Sequence, residues 1–229
     1  MIMKKILDYL TPIILAIIFI IFTILVKTVD VHYIYKVGYL GFYTANMNVF
    51  NHVLEFGRTG VLDKVTDVGL YLSIAIVLAF AVVGLVQLIK RKSFKKVDPI
   101  IYVLLATYVI SVAFYLIFEI AKINYSPFST PDELKASYPS SHILAFSVFL
   151  TTGVIALFHY FKANKILIIV TYILTGLLCL VFALSRLYSG EHYLSDVIGS
   201  LLLSGIIISL FVSLKREFVK PVELVEEEK

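Results

Sequence analysis

The chain has 229 residues, of which 60% are hydrophobic and 16% are charged. The hydrophobic share exceeds the roughly 45–50% that is usual in soluble domains, so a soluble globular fold is excluded. The low proportion of charged residues also excludes an intrinsically disordered chain. The single cysteine, Cys179, has no partner for an intrachain disulfide, which excludes a disulfide framework and a cysteine metal site. The composition therefore predicts an integral membrane protein.

Six apolar windows separated by short polar stretches are candidates for membrane spans, because a spanning helix needs about 20 mostly apolar residues. The windows are residues 12–26, 68–89, 100–121, 143–161, 166–184 and 197–214. The sequence contains no internal repeat and no second domain. We therefore predict a single all-α, polytopic membrane domain over residues 1–229 with six transmembrane helices.

The basic residues indicate orientation. They form clusters that would all lie on one side of a six-span protein, and the positive-inside rule assigns that side to the cytoplasm. The clusters are Lys4 and Lys5; Lys90, Arg91, Lys92, Lys95 and Lys96; Lys162 and Lys165; and Lys215, Arg216 and Lys220. Both termini are then cytoplasmic, with residues 215–229 as a tail. Because the net charge of +4 is spread between apolar spans, we expect no nucleic-acid partner.

Residues 31–67 are too polar to span a bilayer and are rich in tyrosine and phenylalanine. This composition is typical of a segment that lies in the membrane interface. We predict short interfacial helices that are broken at Gly38, Gly41, Gly57 and Gly60.

Candidate catalytic side chains occur where residues 185–196 lead into the last span. His192 and Asp196 stand at i and i+4, on one face of a helix start. This spacing lets the Asp196 carboxylate fix the imidazole tautomer and leaves the other nitrogen of His192 free to act as a nucleophile. Arg186 offers a planar fork of donors that suits phosphate oxygens. The segment therefore indicates phosphoryl chemistry.

A second polar segment, Tyr-Pro-Ser-Ser-His at residues 138–142, opens the fourth span. Unpaired backbone N–H groups and the positive end of the helix dipole make such a helix start an anion site. Ser140 and Ser141 add hydroxyl donors. His142 is suited to protonate a leaving oxygen and then to deprotonate the water that hydrolyses a phosphohistidine.

These residues carry a resemblance to a known family. Pro-Ser-Ser-His at residues 139–142 is similar to the Pro-Ser-Gly-His motif of the type 2 phosphatidic acid phosphatases. Residues 185–196 fit that family's Ser-Arg-x5-His-x3-Asp motif completely. The resemblance implies a six-helix core in the cell membrane with the active site on the outer face.

The resemblance also implies a role for each matched position. His192 corresponds to the nucleophile, Asp196 to its orienting partner, and His142 to the general acid that later acts as base. The phosphate-binding positions are Arg186, Ser140 and Ser141. The implied activity is hydrolysis of a phosphomonoester or diphosphate of a lipid through a phosphohistidine intermediate, with no metal or other cofactor.

The family's first motif, usually a lysine, six residues and Arg-Pro, is incomplete, because no arginine occupies that place in either register of residues 119–130. The segment resembles a subgroup with Lys-x-x-Tyr-Arg-Pro. Lys122 would then bind phosphate, Ser126 stands where arginine is expected, and Lys135 is a candidate to supply the missing charge. Glu119 is expected either to pair with Lys122 or to face the cavity, and we favour the pair.

The missing arginine leaves two functions open. The first is a membrane lipid phosphatase. The second is a non-catalytic lipid-phosphate-binding or structural membrane protein on the same fold. In both cases the expected partners are the membrane and a lipid phosphate or diphosphate.

Overall fold

The structure of the protein is a computed structural model that describes residues 2–34, 38–55, 60–161 and 163–219, with side chains described from residue 7 onward. Within these residues the chain forms helices α1 (Ile2–Thr28), α2 (Tyr43–Glu55), α3 (Gly60–Arg91), α4 (Pro99–Ala121), α5 (Ser141–Tyr160), α6 (Lys165–Tyr188) and α7 (Leu194–Phe218). Two short strands, β1 (His32–Ile34) and β2 (Gly38–Leu40), pair antiparallel, and a 3-10 turn covers Phe94–Lys96.

Six of the described helices are long and apolar enough to cross a membrane, namely α1 and α3 to α7. The predicted all-α, six-span membrane fold is therefore confirmed. Each apolar window lies within one helix to within one residue, but several helices extend beyond their windows. α3 has 32 residues. At about 1.5 Å per residue it is about 48 Å long, which exceeds the roughly 30 Å hydrocarbon core, so its polar first turns belong to the same helix as its apolar part.

Polar residues mark where the helices begin. The Ser140 hydroxyl accepts a hydrogen bond from the Ile143 N–H at the start of α5, and Asn164 Oδ1 accepts one from the Leu167 N–H at the start of α6. At the start of α7, the Asp196 carboxylate accepts the Tyr193 N–H. These contacts satisfy backbone donors that have no partner within the helix.

α5 and α7 form the centre of the bundle. Half of the most apolar stretch of α5 and 44% of that of α7 are buried inside the protein, against 17% for α1 and for α3. α7 packs against α1, α4, α5 and α6. Gly199 of α7 leaves room for the ring of Tyr138, which a Cβ at this position would overlap. The remaining apolar surface of α1 and α3 is left to face lipid.

The segment at residues 31–67 differs from the predicted series of short helices. Residues 32–34 and 38–40 form the paired strands β1 and β2, α2 is one helix of 13 residues, and Gly60 begins α3. Gly41 does not break a helix. A glycine is needed there because a Cβ would overlap the Val26 carbonyl of α1. The predicted break at Gly57 lies outside the described residues.

The end of the bundle that carries the basic clusters is held by ion pairs and polar contacts. Arg91 pairs with Asp98 at 2.7 Å, and Arg216 pairs with Asp8 at 2.9 Å. α7 continues to Phe218, so the first part of the predicted tail is helical. Lys162, Lys220 and the rest of the tail lie outside the described residues.

Candidate active site

Three polar segments of the chain meet at the other end of the bundle. The start of α5 touches the start of α7, because the Ser140 N–H donates to the Asp196 carbonyl at 3.4 Å. The loop between α4 and α5 touches the same helix start, because Asn124 Nδ2 donates to Asp196 Oδ1 at 3.1 Å. The connection between α6 and α7 carries His192. The loop, the start of α5 and this connection therefore surround one site.

His192 and Asp196 lie side by side without a hydrogen bond. His192 Nδ1 is 3.9 Å from Asp196 Oδ2, and the Asp196 side chain is fully buried. His192 Nδ1 is itself buried and has no hydrogen-bond partner among the described residues. A normal hydrogen bond of about 2.9 Å would need the two groups to approach by about 1 Å. The two side chains of the predicted pair are thus adjacent, but the hydrogen bond between them is not formed.

Arg186 lies in the site, buried near the end of α6. Its Nη1 donates to Asp63 Oδ1 at 2.6 Å and to Thr66 Oγ1 at 3.2 Å, and its Nη2 is 4.0 Å from the Glu191 carboxylate. Its Nε is buried and finds no hydrogen-bond partner in the part of the chain that the structure describes. One edge of the guanidinium is therefore held by α3 while Nε keeps an unused donor.

His142 lies in the first turn of α5, and its Nε2 is 3.7 Å from Asp67 Oδ1. The preceding residue, Ser141, lines a small cavity together with His192. Asp67 follows Asp63 by four residues, so both carboxylates lie on one face of α3. This acidic face is not predicted from the sequence, because residues 60–67 are polar enough to be assigned to the interfacial segment. The local signal was the i, i+4 pair of aspartates ahead of an apolar run.

The two serines of the second motif have different environments. The Ser140 side chain is fully buried, and its hydroxyl caps α5. Ser141 lines a cavity of about 30 Å³ beside His192. The other residues of this cavity include Tyr115, Glu119, Ser137, Tyr138 and Pro139. Glu119 therefore faces the cavity, and the structure records no ion pair between Glu119 and Lys122, so the favoured pairing is not the one observed.

Tyr138 fixes the second motif against the bundle. Its ring packs over Gly199 of α7, and its hydroxyl lies 2.7 Å from Thr23 Oγ1 of α1. Burial raises the pKa of the Tyr138 phenol above its ordinary value, so this group remains a neutral hydrogen-bonding partner. The contact holds residues 139–142 at the start of α5.

An apolar groove of about 250 Å³ runs between α3, α4 and α5 and ends at Ser141 and His142. Its walls include Leu70, Ile74, Val112, Tyr115, Leu144 and Phe149. The groove joins the polar site to the region of the helices that faces lipid. Its shape and lining suit a hydrocarbon chain whose polar end lies near His142.

The residues of the incomplete first motif lie beside the site. Lys122 is exposed at the end of α4 in a left-handed conformation, and it is not among the residues that line the cavity at His192. Ser126 is buried in the following loop, where its hydroxyl accepts the Phe128 N–H at 3.2 Å. The Lys135 ammonium lies 3.4 Å from Glu133. The Lys135 charge is therefore paired with the exposed Glu133 carboxylate in this structure.

Within the described ranges, no group of three or more histidine, cysteine, aspartate or glutamate side chains is arranged to hold a metal ion. The charged and titratable side chains that meet at the site are those of His142, His192, Arg186 and the carboxylates around them.

Comparison with known proteins agrees with the predicted resemblance. The family model of the PAP2 superfamily matches residues 118–220, a range that includes all three motif segments. The fold is similar to the crystal structure of a transmembrane PAP2-type phosphatidylglycerolphosphate phosphatase from Bacillus subtilis, with a TM-score of 0.64 and 17% identity over 90% of this chain and 96% of that chain. No curated protein matches the chain. The family match confirms the resemblance, and the structural likeness establishes the fold.

Proposed function

We propose that this chain, whose residues 118–220 match the PAP2 superfamily, is a membrane lipid phosphatase that forms a phosphohistidine intermediate. The family match and the six-span fold support a phosphatase in general. The observation that carries the finer proposal is that His192 lines one cavity with Ser141, the residue before His142, while Arg186 lies beside Glu191, the residue before His192. The apolar groove reaches the same helix start, because Ser141 and His142 are part of its lining.

The first half of the proposed reaction transfers the phosphoryl group to His192. A ring nitrogen of His192 attacks phosphorus, and the bond from phosphorus to the leaving oxygen breaks. His142, whose charged form is favoured by the Asp67 carboxylate 3.7 Å away, gives its proton to that oxygen. Asp196, next to the other ring nitrogen, stabilises the positive charge that develops on the imidazole.

The second half returns the enzyme to its starting state. His142, now neutral, takes a proton from water, and the resulting hydroxide attacks the phosphohistidine. The phosphorus–nitrogen bond breaks, inorganic phosphate leaves, and His142 is again protonated. The family resemblance implies that these steps proceed without a metal ion.

Phosphate binding is assigned to Arg186 and the start of α5. The unused Nε donor of Arg186 is available to a phosphate oxygen, and the backbone N–H groups at Ser141 and His142 favour an anion. The Asp63 carboxylate competes for Nη1 of the same guanidinium. Lys122 remains the predicted phosphate-binding lysine of the first motif. The Lys122 side chain would have to reach the phosphate from its exposed position at the end of α4.

The substrate class follows from the groove. A hydrocarbon chain in the space between α3, α4 and α5 would place its phosphate next to Ser141 and His142. We therefore propose a phosphomonoester or diphosphate of a lipid as substrate, hydrolysed at the outer surface of the cell membrane.

The orientation is testable with single cysteines. Thr130 and Lys95 are both exposed, on loops at opposite ends of the bundle, and the native Cys179 is buried. On intact cells, a membrane-impermeant thiol reagent should label the Thr130→Cys variant. The Lys95→Cys variant should react only after permeabilisation. The reverse pattern would place the site on the cytoplasmic side.

The activity is tested by phosphate release from phosphatidic acid, phosphatidylglycerol phosphate and an undecaprenyl diphosphate in detergent, with and without EDTA. We expect at least one substrate to be hydrolysed in the presence of EDTA. His192→Ala should abolish the reaction and the acid-labile phosphoenzyme. The control is His159→Ala, since His159 lies in the last turn of α5 at the other end of the bundle. Activity in His192→Ala would refute the nucleophile, and loss of activity with EDTA would refute the metal-free reaction.

The second candidate, a non-catalytic lipid-phosphate-binding protein, is favoured by one specific observation. Ser126 stands where the related subgroup has arginine, and its hydroxyl is committed to the loop. This candidate predicts that lipid phosphates bind with no phosphate release from any member of the panel.

A further inference from the structure

Asn124 is a fully buried asparagine in the loop that follows α4, and nothing in the sequence motifs assigns it a role. Its Oδ1 accepts the Gly41 N–H at 2.9 Å. Its Nδ2 donates to Asp196 Oδ1 at 3.1 Å and to Ser195 Oγ at 3.0 Å. The carbonyl of Asn124 also accepts the Ser137 N–H at 3.0 Å. Both the backbone and the amide are thus fixed.

We infer that Asn124 is a positioning residue for the nucleophile, acting through the Asp196 carboxylate; this inference rests on the proposed function of His192. Asp196 has two carboxylate oxygens. Oδ2 accepts the Tyr193 N–H from its own helix start, and Oδ1 accepts the Asn124 amide from a separate segment. Asn124 therefore ties the orientation of this carboxylate to the loop between α4 and α5.

The position of the carboxylate matters because its contact with the imidazole is not yet made. At 3.9 Å from Nδ1, Asp196 Oδ2 is outside hydrogen-bond distance of His192, so a carboxylate held in place sets the position toward which the imidazole must move to form the bond. A carboxylate with no exposed surface also needs donors on both oxygens, because water cannot replace them. Loss of the Asn124 amide leaves Oδ1 with the Ser195 hydroxyl at 3.5 Å as its remaining side-chain contact among the described residues.

Asn46 provides a matched comparison for a purely structural role. Asn46 is also buried, in α2, and it likewise joins Gly41 to the start of α7. Its Nδ2 donates to the Gly41 carbonyl at 2.7 Å and to Ser195 Oγ at 2.8 Å, and its Oδ1 accepts the Ser195 N–H at 3.0 Å. Among the described residues, no hydrogen bond joins the Asn46 side chain to Asp196. The two asparagines therefore both join Gly41 to the start of α7 and differ in the hydrogen bond to the Asp196 carboxylate.

Two substitutions of Asn124 separate its contacts. Asn124→Ala removes the whole amide. Asn124→Asp keeps the size and the acceptor for the Gly41 N–H, but it removes the donors and sets a second carboxylate against Asp196. We expect kcat to fall about 10- to 100-fold in both, since a hydrogen bond to a charged group is lost, with KM changed less than about 3-fold. Asn46→Ala should keep kcat within about 3-fold.

The coupling to Asp196 is tested in a double-mutant cycle. If Asn124 acts through the carboxylate, Asn124→Ala should lower kcat less than about 3-fold when Asp196 is already changed to asparagine. Fully multiplicative effects would overturn the inference, as would equal losses of kcat in Asn124→Ala and Asn46→Ala. Thermal unfolding of each variant identifies a loss of fold, and Asn124→Asp supplies the result if Asn124→Ala does not fold.

A spectroscopic measurement tests the inference independently of turnover. In the full chain with 15N-labelled histidine in detergent, His192 is assigned by its absence from His192→Ala. We expect the tautomer populations of His192 to change in Asn124→Asp and to stay as in the wild type in Asn46→Ala. An unchanged His192 signal in Asn124→Asp would overturn the positioning role. Absence of phosphate release from the wild type would overturn the proposed function instead.

Discussion

The two walls of the candidate site are built differently. On the α7 wall, Asp196 is fully buried and both of its oxygens accept hydrogen bonds from neutral donors. On the α3 wall, Asp63 and Asp67 are about 40% exposed, at 38% and 44%, and they face Arg186 and His142 through charge. Neutral hydrogen bonds in a buried place fix geometry, whereas a half-exposed carboxylate can give way to another anion. The α7 wall is therefore suited to hold the nucleophile His192 in position. The α3 wall is suited to let Arg186 exchange its carboxylate partner for a phosphate.

The largest effect is expected on the α7 wall, from Asp196→Asn. The new amide would set an N–H group against one of the two donors that now bind the carboxylate, and it could not stabilise a positive imidazole. We expect kcat to fall about 100- to 10,000-fold, as when the carboxylate of a triad is replaced by an amide. Single-turnover phosphate release measures this loss. Asp98→Asn, at the opposite end of the bundle, serves as the control.

Retention of wild-type turnover in Asp196→Asn would remove the catalytic distinction between the two walls. His192 would then need no charged partner, and the buried carboxylate would serve the helix start of α7 alone.

An intermediate effect is expected on the α3 wall, from Asp63→Asn. This change removes the charge that competes for Arg186 while it keeps the side-chain size. We expect inorganic phosphate to inhibit about 10-fold more tightly, because a charged hydrogen-bond donor becomes available to the anion. The variant should also be less stable without phosphate, since a buried arginine loses its partner, and it should gain more thermal stability from added phosphate than the wild type.

Asp67→Asn is the matched control for this measurement. Asp67 lies on the same face of α3 but contacts His142 instead of Arg186, so its change should leave the phosphate inhibition constant within about 3-fold. Weaker inhibition by phosphate in Asp63→Asn would show that Asp63 positions the arginine and does not compete with the ligand.

The difference between the α7 wall and the α3 wall also explains how much of the site could be predicted from the sequence. The spans and the pairing of His192 with Asp196 follow local periodicity, which a single sequence displays directly. The contact between Arg186 and Asp63 joins residues 123 positions apart. No local pattern encodes it, and residues 60–67 looked interfacial because polarity was taken as the end of a helix. Asn124 occupied a variable position of a degraded motif, so its buried amide could be recognised only once the loop was seen against α7.

The smallest effect is expected at Ser126, which lies on neither wall. Its sequence position suggests that Ser126→Arg would restore the missing phosphate contact and raise kcat/KM about 10-fold or more. The structure changes this expectation, because the Ser126 hydroxyl faces the Phe128 N–H and its backbone N–H donates to the Lys135 carbonyl at 2.9 Å. A guanidinium there would first have to leave a buried position in the loop.

We therefore expect kcat/KM to change less than about 3-fold and the thermal stability to fall, because a buried hydrogen bond is lost. Kinetics and unfolding of Ser126→Arg, with Ser126→Ala as the control for loss of the hydroxyl, measure both. A tenfold gain in kcat/KM would mean that the loop moves Ser126 toward the phosphate during the reaction, and that the α7 wall extends to the first motif.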